Sequence, residues 1–186
     1  GSSLTTLVRQ ESIFSTASAR RTSPVRFGPP QVTVRHPPDV MNHYRTRNAH
    51  FESIVRDSFA RQTMMSTLGA RLTLVQPGEV HIALDHSPAF AQQNGFLHGG
   101  ALTTLADTAC GYAAFTSAPP DTDVLAVEFK INLLAPASAK RFEARGRVLR
   151  SGQTLTVCAA DVLGIDDQGE HLVATMLSTL IIRPLR

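Results

Sequence analysis

One stretch of the sequence, residues 101–115, constrains the fold more than any other. Alanine, leucine and threonine dominate it and it stops before Pro119-Pro120, so it predicts a helix. Almost every face of that helix is apolar or small, which is typical of a helix buried on all sides. Asp107 is the only formally charged side chain between residues 95 and 120. The domain must therefore wrap around this helix and also accommodate the carboxylate of Asp107 in its interior.

The segments on either side of this helix predict strands. Before it, residues 71–75 and 79–84 flank the turn dipeptide Pro77-Gly78 and predict a hairpin. After it, four alternating segments joined by short turns predict an antiparallel meander: 127–133, 141–148, 154–163 and 171–182. An amphipathic pattern over residues 48–65 predicts a further helix, a lid or entry element. The expected fold is α+β, with a curved antiparallel sheet wrapped around one long central helix.

The charge distribution divides the chain into an extension, residues 1–47, and one domain, residues 48–186. Residues 1–50 hold seven arginines against two acidic side chains, whereas the remainder holds 11 basic and 13 acidic residues. The basic character therefore belongs to the extension, and the domain predicts no nucleic-acid surface. In composition the extension resembles a transit peptide and, equally, a solvated tail.

The remaining composition argues for a soluble protein without a metal. No apolar run approaches the roughly 18 residues that a membrane helix needs. Cys110 and Cys158 lie in apolar stretches without metal-ligand spacing. We expect both to be buried free thiols in a reducing compartment, the cytoplasm, with no metal and no membrane partner.

The chemistry is expected at His98-Gly99-Gly100, where a loop meets the central helix. Two glycines leave the first backbone N–H groups of the helix accessible, and a helix N-terminus stabilises a developing oxyanion such as that of a thioester carbonyl. Glycine at this place also has a purely conformational explanation, because it tolerates unusual backbone dihedrals.

The buried Asp107 is the second candidate. A carboxylate on a buried helix costs several kcal/mol unless it is paired or faces a cleft. One alternative is a structural Asp that accepts hydrogen bonds from the backbone or from hydroxyls such as those of Thr103, Thr104 or Thr108. Asp107 also lies about 10 Å along the helix from Gly100, too far to act on a carbonyl bound there. If both serve one reaction, they come from different copies of the chain, so the site lies at a two-fold dimer interface.

Three segments together resemble the hotdog thioesterases of the phenylacetate-pathway (PaaI) type: 95–114 (GFLHGGALTTLADTACGYAA), 127–137 (VEFKINLLAPA) and 150–154 (RSGQT). The resemblance covers roughly residues 65–182. It implies a hotdog homodimer, often paired into a tetramer, that hydrolyses acyl-CoA to a carboxylic acid and free CoA without a metal or other cofactor.

Carried over by position, the resemblance assigns the catalytic roles. Asp107 is the general base or nucleophile, the N–H of Gly99 polarises the thioester carbonyl, and His98 orients the loop or simply fixes it. Gln92 stands where the family often has an asparagine that places water or substrate, and Gln93 or Asn94 could substitute for it. Some relatives also have a hydroxyl residue on the facing strand, where this chain has Ala126.

Substrate binding is expected around the same motif and at one turn. Gly100 and Asn94 are candidates beside the carbonyl, and Phe129 is a candidate for the acyl pocket. Phe96, Leu102, Leu105 and Tyr112 could join that pocket, although core packing explains them equally well. The CoA phosphates call for basic side chains, for which Arg150 at the Ser151-Gly152 turn is the first candidate, ahead of Lys130 and Arg141.

Two other functions remain open on the sequence. One is a hotdog dehydratase or hydratase, although such enzymes supply a catalytic histidine and carboxylate in a different motif. The other is a non-catalytic acyl-CoA sensor whose arginine-rich extension binds DNA, although the extension lacks the two periodic helices of a helix-turn-helix.

Overall fold

The computed structural model describes residues 46–185, which form one sheet and three α-helices. The elements, in chain order, are α1 Phe51–Ala60, α2 Thr63–Leu68, β1 Arg71–Gln76, β2 Glu79–Asp85, a 3-10 turn Pro88–Phe90, α3 Gly99–Thr116, β3 Thr122–Leu133, β4 Arg141–Ser151, β5 Leu155–Asp166 and β6 Gly169–Pro184. The predicted extension, apart from its last two residues, lies outside the described part of the chain.

The hairpin and the central helix are confirmed. The β1–β2 turn places Pro77 before Gly78, whose φ of 78° is the left-handed value that a type II turn requires of its third residue. Helix α3 begins two residues earlier than predicted, at Gly99, and contacts all six strands. The predicted helix over residues 48–65 is instead two helices, because Gln62 is extended between them and its amide donates to the Tyr112 hydroxyl.

The prediction of a four-strand meander is wrong for β3. The sheet is antiparallel with the order β1-β2-β4-β5-β6-β3, so β3 pairs with β6 at one edge and does not pair with β4. Residues 134–140 connect β3 to β4 across the end of the sheet, held by the backbone N–H groups of Leu134 and Ala135, which donate to the carbonyl of Val173. Seven residues reach about 23 Å, enough to cross the roughly 14 Å of three strand spacings.

The sheet wraps α3 closely at its centre. A β-carbon added to Gly146 on β4 would lie 2.4 Å from the carbonyl carbon of Ala109 on α3. Only glycine therefore lets this strand approach the helix backbone. The core around this contact includes Phe142, Leu105 and Met176.

We expected α3 to be buried on all sides, but in the single chain one stripe along this helix is open. Gly100 is exposed, and Thr104, Asp107 and Gly111, which follow it at helical spacing, are only partly buried. This stripe is open because the sheet ends at β3, and no described element covers it from the far side.

Candidate active site

The first turn of α3 leaves one backbone donor free. His98 caps the helix: its Nδ1 accepts the N–H of Gly100 at 2.9 Å, and its carbonyl accepts those of Ala101 and Leu102. Among the described residues, Gly99 alone of the first four N–H groups of this helix has no acceptor. The helix start therefore presents one N–H that can donate to an incoming oxygen.

The cap also assigns the tautomer of the neutral His98 ring. Because Nδ1 accepts a hydrogen bond, the proton of the neutral ring lies on Nε2. The N–H of Gly100, an expected substrate contact, is occupied by this bond.

A short loop places the predicted amide side chains beside this helix start. The N–H of Gln92 donates to the carbonyl of Phe96 at 2.8 Å, and the N–H of His98 donates to that of Phe90. Gln92 is partly buried and Asn94 is exposed. The structure thus brings both to the end of the domain where α3 begins.

Asp107 lies two turns further along α3 and lacks a donor. Its Oδ1 is buried without a hydrogen-bond partner among residues 46–185. The neighbouring threonines do not supply one, because all three donate to backbone carbonyls four residues earlier: Thr103 to Gly99, Thr104 to Gly100 and Thr108 to Thr104. Burial raises the pKa of the Asp107 carboxyl above its ordinary value. The alternative of a structural Asp satisfied by these hydroxyls is therefore wrong.

The inner face of β3 forms the other wall of this stripe. Phe129 lies opposite Ser178, and Leu133 lies opposite Ala174, so both point to the helix side of the sheet. Ala126 occupies an equivalent position opposite Leu180. A β-carbon added to Gly99 would lie 2.9 Å from Leu133 Cδ1. Strand alternation indicates the face of Leu133, but only the tertiary fold brings it to Gly99, so sequence reasoning missed it.

The predicted CoA-binding turn lies at the opposite end of the same chain. The N–H of Val148 donates to the carbonyl of Gly78, and the N–H of Gly78 donates to Thr116 Oγ1 in the last turn of α3. Arg150 and Ser151 are the last two residues of β4, and Gly152 follows them. Since α3 has 18 residues, about 27 Å of helix separates this end from Gly99. One chain does not bring Arg150 and Gly99 together.

The other basic and apolar candidates are dispersed. Lys130 points to the outer face of the sheet, opposite Leu177, and Arg141 begins β4 beside Asp85. Leu102, Leu105 and Tyr112 belong to the core, and the Tyr112 hydroxyl donates to Ser58. These three side chains are explained by packing.

Two other kinds of chemistry find no support in the described region. No group of three His, Cys, Asp or Glu side chains within it could hold a metal ion. Burial raises the pKa of Cys158 to about 12 and that of Cys110 well above its ordinary value, so neither buried thiol ionises near neutral pH. In residues 46–185 no helix has both the length and the apolarity to cross a membrane.

The fold and the helix start define a hotdog protein, and comparisons with known proteins agree. The thioesterase superfamily profile matches residues 94–170. A thioesterase family protein from Silicibacter pomeroyi is 46% identical, with a TM-score of 0.71 over 72% of this chain and 98% of its own. A 1,4-dihydroxy-2-naphthoyl-CoA hydrolase from Listeria monocytogenes is 27% identical over 66% of this chain and 98% of its own. The PaaI protein of the E. coli phenylacetic acid degradation operon shares the fold, with a TM-score of 0.66 at 18% identity over 76% of this chain and 100% of its own. The chain belongs to the thioesterase superfamily and is a thioester hydrolase.

Proposed function

We propose that this protein hydrolyses acyl-CoA with an aromatic or medium-chain acyl group, using Asp107 and no metal. The observation that carries the proposal is the carboxylate of Asp107, buried at Oδ1 without a donor, on the same open stripe as a helix start with one free N–H. A fold gains nothing in stability from an unpaired buried carboxylate, and such a group at a cleft is typical of a catalytic site.

The proposed reaction uses both groups on one thioester. The N–H of Gly99 donates to the carbonyl oxygen, whose negative charge grows as the carbonyl carbon becomes tetrahedral. Asp107 acts as general base, taking a proton from water as the water oxygen adds to that carbon. Alternatively it acts as nucleophile, adding its own oxygen to that carbon and forming a mixed anhydride, which water hydrolyses after CoA has left. The C–S bond then breaks, and CoA leaves as a thiolate that takes up a proton. The raised pKa of Asp107 makes the ionised carboxylate a stronger base.

We further propose that each site is shared by two subunits. Gly99 and Asp107 of one chain are about 12 Å apart along the helix axis, too far for one carbonyl. Strand β3 offers the interface, because it is a 12-residue edge strand with exposed apolar side chains, among them Val127 at 57% and Phe129 at 44% exposure. Edge strands of this length and character require a covering partner. A two-fold axis through this edge runs the two α3 helices antiparallel, which brings the partner subunit's Asp107 towards Gly99.

The same two-fold arrangement gives a role to the distant turn. Antiparallel helices place the far end of one subunit beside the near end of the other. The partner subunit's Arg150, with the Ser151-Gly152 turn, then lies at the mouth of the site and can pair with the CoA phosphates. Exposed apolar side chains on the outer face of the sheet, Leu155 and Leu177, support a second contact between dimers.

The catalytic proposal is tested by removing one group at a time. Asp107→Asn should keep the fold and reduce kcat for acyl-CoA hydrolysis by several orders of magnitude. Gly99→Pro removes the free N–H and adds a β-carbon, which Gly99→Ala adds as well. Proline is favoured at the first position of a helix, and His98 already has the extended conformation (φ −63°, ψ 136°) favoured before proline. We expect a loss of about 100-fold in kcat, against a small effect of Gly99→Ala, which keeps the N–H. An undiminished rate for Asp107→Asn would refute the assignment.

The shared site is tested by complementation. Mixed dimers of Asp107→Asn and Gly99→Pro chains contain one site with both groups intact, so they should recover up to half of the wild-type activity per dimer. Mixtures that stay as inactive as either parent, despite demonstrated subunit exchange, would show that each chain carries its own site. An acyl-CoA sensor would instead bind acyl-CoA in the wild-type protein without turnover.

A further inference from the structure

Leu133 stands beside the free N–H of the proposed site. Its Cδ1 would be 2.9 Å from a β-carbon on Gly99, so it lies about 4 Å from the Gly99 α-carbon. The side chain is still 57% exposed. Leu133 is therefore close to Gly99 and also open to a molecule that binds there.

The backbone holds this leucine firmly. Leu133 is the last residue of β3 and pairs with Ala174, and the following N–H of Leu134 donates to the carbonyl of Val173 at 2.8 Å. Because the strand is fixed at this point, only rotation of the side chain can clear space around Gly99.

A thioester carbonyl bound here has little freedom. Its oxygen would lie about 2.9 Å from the Gly99 nitrogen, so its carbonyl carbon and the next carbon of the acyl chain pass within van der Waals reach of the Leu133 methyl groups. A CH₂ group at that next carbon is slim enough to pass, whereas a branch there competes with Leu133 for the same volume.

We propose that Leu133 determines substrate specificity by selecting acyl groups that are unbranched at the carbon next to the thioester carbonyl. The inference rests on the proposed function and adds to it the class of acyl group. Leu133 is not a catalytic group, since it brings neither a proton nor a charge to the reaction.

Isomeric substrates provide the test. Butyryl-CoA and isobutyryl-CoA, and likewise hexanoyl-CoA and 2-methylpentanoyl-CoA, have the same number of atoms and differ in branching at the critical carbon. Leu133→Ala should raise the ratio of kcat/KM for the branched over the straight isomer by about tenfold. This is the lower end of the discrimination that a close-fitting apolar pocket achieves between substrates differing by one carbon. Leu133→Phe should lower that ratio.

Leu177→Ala is the matched control, because Leu177 has a similar exposure of 50% but points to the outer face of the sheet. It should leave the ratio unchanged. The double variant Gly99→Ala with Leu133→Ala gives a second readout. Gly99→Ala alone pushes Leu133 into the acyl space and should lower the branched-to-straight ratio, and this effect should vanish once Leu133 is alanine.

The outcomes separate the two proposals. The specificity inference alone is overturned if the protein hydrolyses acyl-CoA but Leu133→Ala changes the branched-to-straight ratio by less than twofold. It is also overturned if Leu177→Ala changes that ratio as much as Leu133→Ala does. A change in oligomeric state of Leu133→Ala in light scattering overturns it as well, because Leu133 then contacts the partner subunit. A wild-type protein that hydrolyses no acyl-CoA refutes the proposed function, and the inference with it.

Discussion

Replacing Asp107 by asparagine should make the protein more stable while making it inactive. An unpaired polar group that loses its hydration costs about 1–3 kcal/mol. Only Oδ1 is fully buried and the residue as a whole is partly exposed, so solvent screening favours a cost at the lower end of this range. We expect the free energy of unfolding to rise by about 1 kcal/mol at pH 7.5, which corresponds to about 3 °C in Tm.

The stability difference between Asp107→Asn and the wild type should vary with pH, and the direction of this variation follows from the raised pKa of Asp107. Burial raises the pKa of Asp107 in the folded state, so the folded protein binds a proton more tightly than the unfolded chain does. The destabilisation is therefore absent below the unfolded pKa, near 3.9, and is complete once the pH has risen past the folded pKa. The stability of Asp107→Asn relative to the wild type should grow with pH across this window and then stay constant.

Urea unfolding at a series of pH values, at fixed protein concentration, measures this difference. Asp167→Asn is the control, because the side chain of Asp167 is 84% exposed and paired with Lys140. Its effect should be small and slightly unfavourable. An Asp107→Asn protein that is less stable than the wild type at pH 7.5, or a difference that does not vary with pH, would refute the reasoning that this carboxylate lacks a partner.

Three further predictions follow from the packing. Gly146→Ala should lower the free energy of unfolding by about 3 kcal/mol in urea titrations, because its β-carbon would lie 2.4 Å from the α3 backbone, whereas Gly111→Ala, with 4.0 Å to Leu180, should not destabilise. Val127→Asp should yield an inactive monomer in light scattering and acyl-CoA assays, whereas Leu177→Asp should leave an active dimer; an active Val127→Asp monomer would contradict the shared site. Chelators and thiol-alkylating reagents should leave the rate unchanged, because no described metal cluster exists and the buried Cys158 has a pKa of about 12.

The central helix could be predicted because the information is local. Mostly small and apolar residues over 101–115 predict a largely buried helix, and His98-Gly99-Gly100 predicts where it begins. The resemblance assigned the N–H of Gly99 to the carbonyl, but the residues alone could not predict that the N–H of Gly100 is occupied, since this depends on His98 turning its Nδ1 towards Gly100. The lack of a donor for Asp107 also had to come from the structure, because three neighbouring threonines offered hydroxyls that donate to the backbone instead.

The order of the strands could not be predicted because alternation indicates the faces of a strand but not its neighbours. A connection of seven residues between β3 and β4 is compatible with a hairpin and with a crossing over the sheet. The crossing is favoured here because the N–H groups of residues 134 and 135 both donate to the carbonyl of Val173 on β6, and Leu97 donates to Ala137 in the same connection.

This single difference in topology changes what the site needs. In a meander, β4 would cover β3. The exposed side chains of β3 and the open stripe of α3 would then be buried within one chain. With β3 at the edge, Phe129 and Val127 remain uncovered, and so does the stripe of α3 that carries Asp107. A second copy that covers the edge would then bury the strand and supply the missing catalytic group in one step. Folding stability and catalysis would accordingly depend on the same contact, so those variants of β3 that weaken the dimer should lose the dimer and the activity together, in the same proportion.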